Sequence, residues 1–390
     1  MMPLRFLTAG ESHGPALTAI LDGMPAGLPL TTEIINTELS RRQQGAGSGG
    51  RMKIEKDSAE ILSGVMAGQT TGAPIALQVL NADHVKWKDK PIPAFTIPRP
   101  GHADLTGAVK YGYDDLRPSL ERASARETTS RVAAGAICKH FLAQFGIRVG
   151  GYVRSIGEID ADLSAIPLAE RPALAESNDV RCPDLLAAAK MQERIRQIMQ
   201  ERDTLGGVLE ITATGLPVGL GSFAQWDTRL EARLGAAILS VQAMKGVEFG
   251  DAFENARLPG TRAHDAIRLD GERLARPTDR SGGLEGGVTN GEALIIRAAM
   301  KPIATTLVPQ RSVDLASGLE VDTKYERSDF CPVPRAVPIL EAMTAFILAD
   351  ALLAKLGGDS LAEMLPRFAT LRQPRLSDLH ITGGEHTFWA

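Results

Sequence analysis

Apolar and polar residues along the chain follow two periods, and the switches between them mark the elements. Residues 4–9 read as a short strand, and residues 16–21 as a second strand or a short helix. Short strands separated by Thr70-Thr71-Gly72 are expected between 54 and 79, with further strands at 147–159, 208–214 and 293–299. Helical spacing begins at Thr31 or Thr32 and runs to Arg42, with Ile34, Ile35 and Leu39 inward. Ser124 followed by Glu127 has the form of a capping box. It starts a helix with Val132, Ala136, Ile137 and Phe141 on one face, and Gly146 stops it. An amphipathic helix at 184–203 is expected to bury Leu185, Leu186, Met191, Ile195 and Ile198 beneath a solvated charged face. Another is expected over 230–249 through Leu234, Ala237, Ile238, Val241 and Met244. A buried one follows at 337–356, ended by Gly357-Gly358. RVAAGAI at 131–137 and RLGAAIL at 233–239 echo each other, which hints at an internal repeat.

Between these elements, residues 81–98 are polar and punctuated by Pro91, Pro93 and Pro98, and read as a surface loop or lid. Residues 256–281 read as a flexible connection, and 357–390 as a peripheral tail. A chain of 390 residues can bury a large core, as one big domain or two smaller ones. No apolar run approaches the length of a membrane span and no secretory leader is visible, so a cytoplasmic protein without a membrane partner is expected. The three cysteines lie far apart with no CxxC spacing, which points away from disulfides and metal. Net charge is −4, so nucleic acid is not an expected partner. Glycine makes up 39 residues of 390, one in ten against roughly 7% ordinarily, and much of it clusters in turns.

The candidate chemistry centres on residues 99–141. Pro100-Gly101-His102-Ala103-Asp104 sets an imidazole in a tight turn, suited to acid work. Arg122, Arg126 and Arg131 surround the helix start near Ser124, where the helix dipole disfavours cations unless an anion binds there. The alternative is a plain Glu127–Arg131 surface pair. A second histidine, His13, sits in the turn Gly10-Glu11-Ser12-His13-Gly14-Pro15. The loop Gly45-Ala46-Gly47-Ser48-Gly49-Gly50, bracketed by Arg41, Arg42 and Arg51, suits an anion or is simply exposed; it lacks the ending of a P-loop. Glycines at 282–287, a strand, and then Lys301 with Thr305 and Thr306 make a second anion-compatible group. Gly219–Ala224 is only a partial dinucleotide fingerprint, with no acidic residue where one is needed.

Taken together, these blocks resemble the chorismate synthase family nearly from end to end. They are GESHGP at 10–15, RRQ at 41–43, RMKIEKD at 51–57, RPGHAD at 99–104, ERASARET at 121–128 and RVAAGAI at 131–137. VQAMKGVEFG at 241–250, GGLEGGVTNG at 282–291, KPI at 301–303 and RSD at 327–329 complete the series. The resemblance implies a single α+β domain, a layered β-α-α-β sandwich with antiparallel sheets outside and helices between. It also implies a homotetramer. The implied reaction is the anti 1,4-elimination of phosphate from 5-enolpyruvylshikimate 3-phosphate to give chorismate, the last step of the shikimate pathway. It uses reduced FMN without net redox change, with NADPH as one source of reducing equivalents.

By the same resemblance, His102 matches the acid that protonates the departing phosphate, His13 the one that protonates reduced flavin, and Asp329 the base. Ser12, Arg42 and Arg126 match substrate contacts. Arg122, Ala123, Ser124, Gln242, Ala243, Gly286, Lys301, Pro302, Ile303, Ala304, Thr305 and Arg327 match FMN contacts. Arg42 and Ser48 fall where NADP contacts are associated with the family, but many members carry an arginine in a GYGRG-like loop where this chain has Ser48. Ser48→Arg is therefore expected to tighten substrate binding, and an unchanged or raised KM would count against that idea. Two rivals remain in other classes. A nicotinamide-linked oxidoreductase built on Gly219–Ala224 would need no flavin, and a flavin-binding module without activity would bind FMN and not turn over.

Overall fold

Two antiparallel sheets enclose a layer of helices in the computed structural model, which describes residues 3–47, 56–326 and 328–389. The first sheet runs Arg5–Ala9, Ala16–Asp22, Ile75–Leu80, Ala59–Ile61 in spatial order. Its register sets Thr8 opposite Ala19 and Leu17 opposite Val79. Strict alternation turns Leu17, Ala19, Leu21, Ile75, Leu77 and Val79 inward. The second sheet orders Met244–Phe249, Leu294–Met300, Gly207–Thr214, Arg148–Ile156 and Ile159–Asp160. Residues 16–22 are thus strand, the first of the two readings left open by the sequence.

Thr128–Ala143 lies on the first sheet and Val333–Leu356 on the second, and the two helices pack on each other between them. Gly135 permits their close crossing. A Cβ there would stand 2.3 Å from the Cβ of Ala342. Gly135→Ala is expected to lower stability by about 1–3 kcal/mol through overpacking, read as a reduced midpoint in denaturant unfolding. An unchanged midpoint would mean that the crossing relaxes freely.

Val333–Leu356 is apolar and long enough to cross a membrane, yet 89% of its most apolar window is buried inside the fold. It is the only such helix among the described residues. Pro338 lacks the N–H that would bond the carbonyl of Pro334. That carbonyl accepts instead from Arg181 Nη1 at 2.8 Å, so the proline leaves no buried orphan. Glu341, midway along the helix and fully buried, is paired with Arg41 at 2.7 Å and Lys139 at 2.6 Å. These two cations outweigh burial and hold its carboxyl below the ordinary range.

Several expectations are corrected. The helix expected over 230–249 is Leu230–Leu239 followed by the strand Met244–Phe249. The helix stops at Leu239, and the turn that follows, with Ala243 left-handed at φ 67°, redirects the chain into the strand. Leu185 and Leu186 are exposed at 62% and 80%, because the helix Leu185–Glu201 begins there, beyond the edge of the core that takes Met191, Ile195 and Ile198. Residues 256–281 carry a short helix, Gly260–Ala263, and the hairpin Arg268–Asp270 with Arg273–Ala275. The start of the tail is built into the core: Leu361–Ala369 is a helix with Leu361 and Met364 buried. Two helices before Ser124, Asp104–Tyr111 and Arg117–Ala123, have no counterpart in the sequence reading; both are too short to show a clear apolar period.

Candidate active site

A cavity of about 990 Å³ opens where the turn after the first strand, the segment 81–98, the Arg99–Asp104 turn and the Ser124 region meet. Ser12, His13, His102, Ala123, Ser124, Gln242, Ala243, Lys301, Ile303, Ala304 and Thr305 all line it. Residues more than 290 positions apart therefore share one wall. The lid expected at 81–98 contributes Asp83 and Lys86 from a 3-10 turn at Ala82–Lys86, then Trp87 and Lys90 through Pro93.

Each histidine stands on a carboxylate. His13 sits in a turn that Gly10 makes possible at φ 107°, where a Cβ would meet the carbonyl of Ala16 at 2.4 Å. Its Nδ1 is 2.7 Å from Glu121 Oε1, and its backbone N–H donates to Glu121 Oε2 at 2.8 Å. The imidazole also packs on the Trp87 indole, centroids 4.2 Å apart. Burial alone would raise the Glu121 carboxyl, but the hydrogen bond and charge of His13 hold it below the ordinary range. Glu121 thus takes Nδ1 and leaves Nε2 as the nitrogen for chemistry.

His102 Nδ1 lies 2.5 Å from Asp104 Oδ1. Asp104 is fully buried and also gripped by Arg99, through Nε to Oδ2 at 2.9 Å and Nη2 to Oδ1 at 3.0 Å. Although burial works the other way, His102 and Arg99 hold the Asp104 carboxyl far below its usual value. Arg99 Nη1 donates to Thr305 Oγ1 at 2.9 Å, and Lys301 Nζ to the carbonyl of Gly101 at 2.8 Å. Burial and the charge of Lys245 lower the Lys301 ammonium. The His102 turn therefore presents two cations beside its imidazole, a setting for a leaving anion.

The capping box is only half formed. Ser124 Oγ accepts from the N–H of Arg126 at 3.3 Å and starts a 3-10 turn, Ala125–Glu127. Glu127 turns away to Thr8, Arg131 and Gln242 rather than back to Ser124. The three arginines at this helix start divide. Arg131 pairs with Glu127 at 2.9 Å, as in the plain reading, but the pair is largely buried and not on the surface. Arg122 is spent on Thr8 and the carbonyl of Gly10 and does not reach the cavity wall. Arg126 is buried, bonded to Asp57 Oδ1 at 2.6 Å and to Asn81 Oδ1 through Nε at 2.9 Å and Nη2 at 2.7 Å.

Arg42 joins the same carboxylate at 3.3 Å and donates to Thr128 Oγ1 and to the carbonyl of Ala125, a wall residue. Burial lowers its guanidinium to about 9 against the attraction of Asp57, with Arg335 and Arg126 adding repulsion. Arg42 and Arg126 therefore back the wall and do not line it. Asp329 is also off the wall, ion-paired to Arg335, which in turn donates to the carbonyl of Arg42 at 3.3 Å.

Gly286 occupies an exposed turn between Leu284–Glu285 and Val288–Thr289 and is not brought to this cavity. Pro302 is exposed between wall residues. Ser48 and Arg327 lie outside the described residues. Sequence reasoning missed Asp57, Asn81, Arg99, Asp104 and Glu121 as site-builders. Four of them stood inside blocks already singled out; Arg99 and Asp104 flank His102 in sequence, which was the available signal, whereas Asp57 and Glu121 have no candidate histidine near them.

One observation bears on a planar ligand here: Gln242, on the wall beside Ala243, has a buried amide oxygen with no partner among the described residues. Such an acceptor suits an N–H donor on a planar ring.

Comparison with known proteins gives one answer. A sequence model of the chorismate synthase family matches residues 4–353. The chorismate synthase of Symbiobacterium thermophilum is 51% identical over 381 residues, covering 94% of this chain and 97% of that one. That of Chlorobaculum tepidum is 49% identical over 387 residues, covering 95% and 98%. A crystal structure of chorismate synthase superposes with a TM-score of 0.78 at 43% identity, over 95% of this chain and 97% of that one.

Proposed function

This chain belongs to the chorismate synthase family, and on that premise we propose that its cavity holds reduced FMN and 5-enolpyruvylshikimate 3-phosphate together. The enzyme is a carbon–oxygen lyase, a chorismate synthase, acting at the last step of the shikimate pathway. The observation that carries the reading of the site is the meeting, in one cavity, of two histidines each seated on its own carboxylate.

Ala123, Ser124, Gln242, Ala243, Lys301 and Ile303 to Thr305 are the proposed flavin contacts; reduced FMN supplies transient electron density to the breaking C–O bond. The chain's own residues supply charge and protons. His102 donates to the departing phosphate, with Arg99 and Lys301 stabilising the negative charge as it develops. His13 holds a proton at Nε2, the nitrogen Glu121 leaves over. Ser12 on the wall, with Arg42 and Arg126 behind it, directs the substrate's anionic groups, and Asp329 is the proposed base.

A homotetramer is also proposed. Leu7, Ile20 and Leu80 on the open face of the first sheet, and Phe223 and Trp226 elsewhere, are large apolar side chains left exposed. A cytoplasmic location and a role for NADPH as reductant belong to the same proposal. Anaerobic incubation with substrate and chemically reduced FMN is expected to yield chorismate. Flavin binding without product would favour the inactive module, and replacing the reductant by NADPH tells whether the chain reduces its own flavin.

A further inference from the structure

Asn81 is buried, 4% exposed, and does not line the cavity, yet its carboxamide makes four hydrogen bonds. Oδ1 accepts from Arg126 Nε at 2.9 Å and Nη2 at 2.7 Å. Nδ2 donates to the carbonyls of Gly14 at 2.8 Å and Glu11 at 3.2 Å, which flank Ser12 and His13. The backbone N–H of Asn81 donates to the carbonyl of Pro15 at 3.0 Å. Four bonds are the full ordinary capacity of a carboxamide, and their directions fix which end is which. Reversed, the NH2 would face a guanidinium and the oxygen two carbonyls.

The bonds add a second tie, from a separate segment, between two parts of the site that residues 121–126 already link through Glu121 and Ser124. One is the turn carrying His13. The other is Arg126, tied onward to Asp57, whose second oxygen receives Arg42. The turn meets the same segment again at His84, whose Nδ1 lies 2.9 Å from the carbonyl of His13, and at Trp87 beneath the imidazole. Few side chains can accept from a guanidinium at one end and donate to two carbonyls at the other. Aspartate keeps the shape and the Arg126 bonds but sets an oxygen against Glu11 and Gly14.

We infer that Asn81 is a positioning residue for the elimination: its carboxamide locks the His13 turn to the Arg126–Asp57–Arg42 group, so that proton donor and anion-directing charges are held in one frame. The inference rests on the role given to His13 above.

Asn81→Asp, made in the full chain, tests it against His13→Ala and the double variant, with kcat, KM, reduced-FMN binding and thermal midpoint measured for each. Asn81→Asp is expected to lower kcat by about 10–10²-fold, the scale of a misplaced reacting group, with KM changed far less and the midpoint lowered by the oxygen it sets against two carbonyls. In the His13→Ala background the same substitution should cost less than about twofold, because its route of action is gone. Full kcat in Asn81→Asp while His13→Ala is impaired overturns this inference alone, as do additive losses in the double variant. Wild-type kcat in His13→Ala overturns the role of His13 and the inference with it. Should Asn81→Asp fail to accumulate folded, Asn81→Ser removes both ties without adding charge and is read the same way.

Discussion

Replacement of His102 by alanine is expected to lower kcat by about 10²-fold or more, the scale on which a positioned general acid contributes. The substitution removes the imidazole and little else. Asp104 stays buried, but its three bonds from Arg99 survive, so no carboxylate is left unpaired in the interior. Arg99 also keeps Thr305, and Lys301 keeps the carbonyl of Gly101. The wall therefore retains its cations and its shape, and KM for the substrate should move much less than kcat. Loss confined to kcat marks a group acting in the transition state. Wild-type turnover in steady-state assays would remove His102 from the mechanism, and a collapse in thermal stability would show that the imidazole braces the turn.

The second large effect is expected at Asp329. Asp329→Asn should bind flavin and substrate yet turn over about 10²-fold more slowly, since asparagine keeps the shape and loses the basicity. Arg335 would lose its ionic partner but not its bond to the carbonyl of Arg42. A fall in kcat with binding intact, in single-turnover and titration experiments, supports Asp329 as base. Loss of folding would instead make the Asp329–Arg335 pair structural, a plausible role for an ion pair only partly open to solvent.

Much of this frame was readable in advance, for reasons that differ along the chain. Leu294–Met300 announces itself because one face is buried and the period is two, and Gly207–Thr214 keeps the same period although Glu210 and Thr212 are buried on its second face. Both histidine turns were visible from glycine and proline alone. The helix over 230–249 misled because Val241 and Met244 continue the helical apolar spacing past Leu239; the turn at 240–243 separates the two elements, and its left-handed residue, Ala243, is an alanine that gives no sign of that. Arg122 and Arg126 looked alike in sequence. Folding spends one on backbone carbonyls and buries the other on Asp57 and Asn81, partners 69 and 45 positions away. Such long-range pairings leave no local trace. Layer order and the roles of the matched residues came from the family resemblance and not from periodicity.

What sets this reaction apart is elimination without net redox change. Its most direct test is a single anaerobic reaction with limiting reduced FMN and excess 5-enolpyruvylshikimate 3-phosphate, in which chorismate, released phosphate and remaining reduced flavin are counted together. Chorismate and phosphate are expected in equal amounts, many of each per flavin, with the flavin still reduced at the end. One product per flavin oxidised, or phosphate released without chorismate, would contradict it.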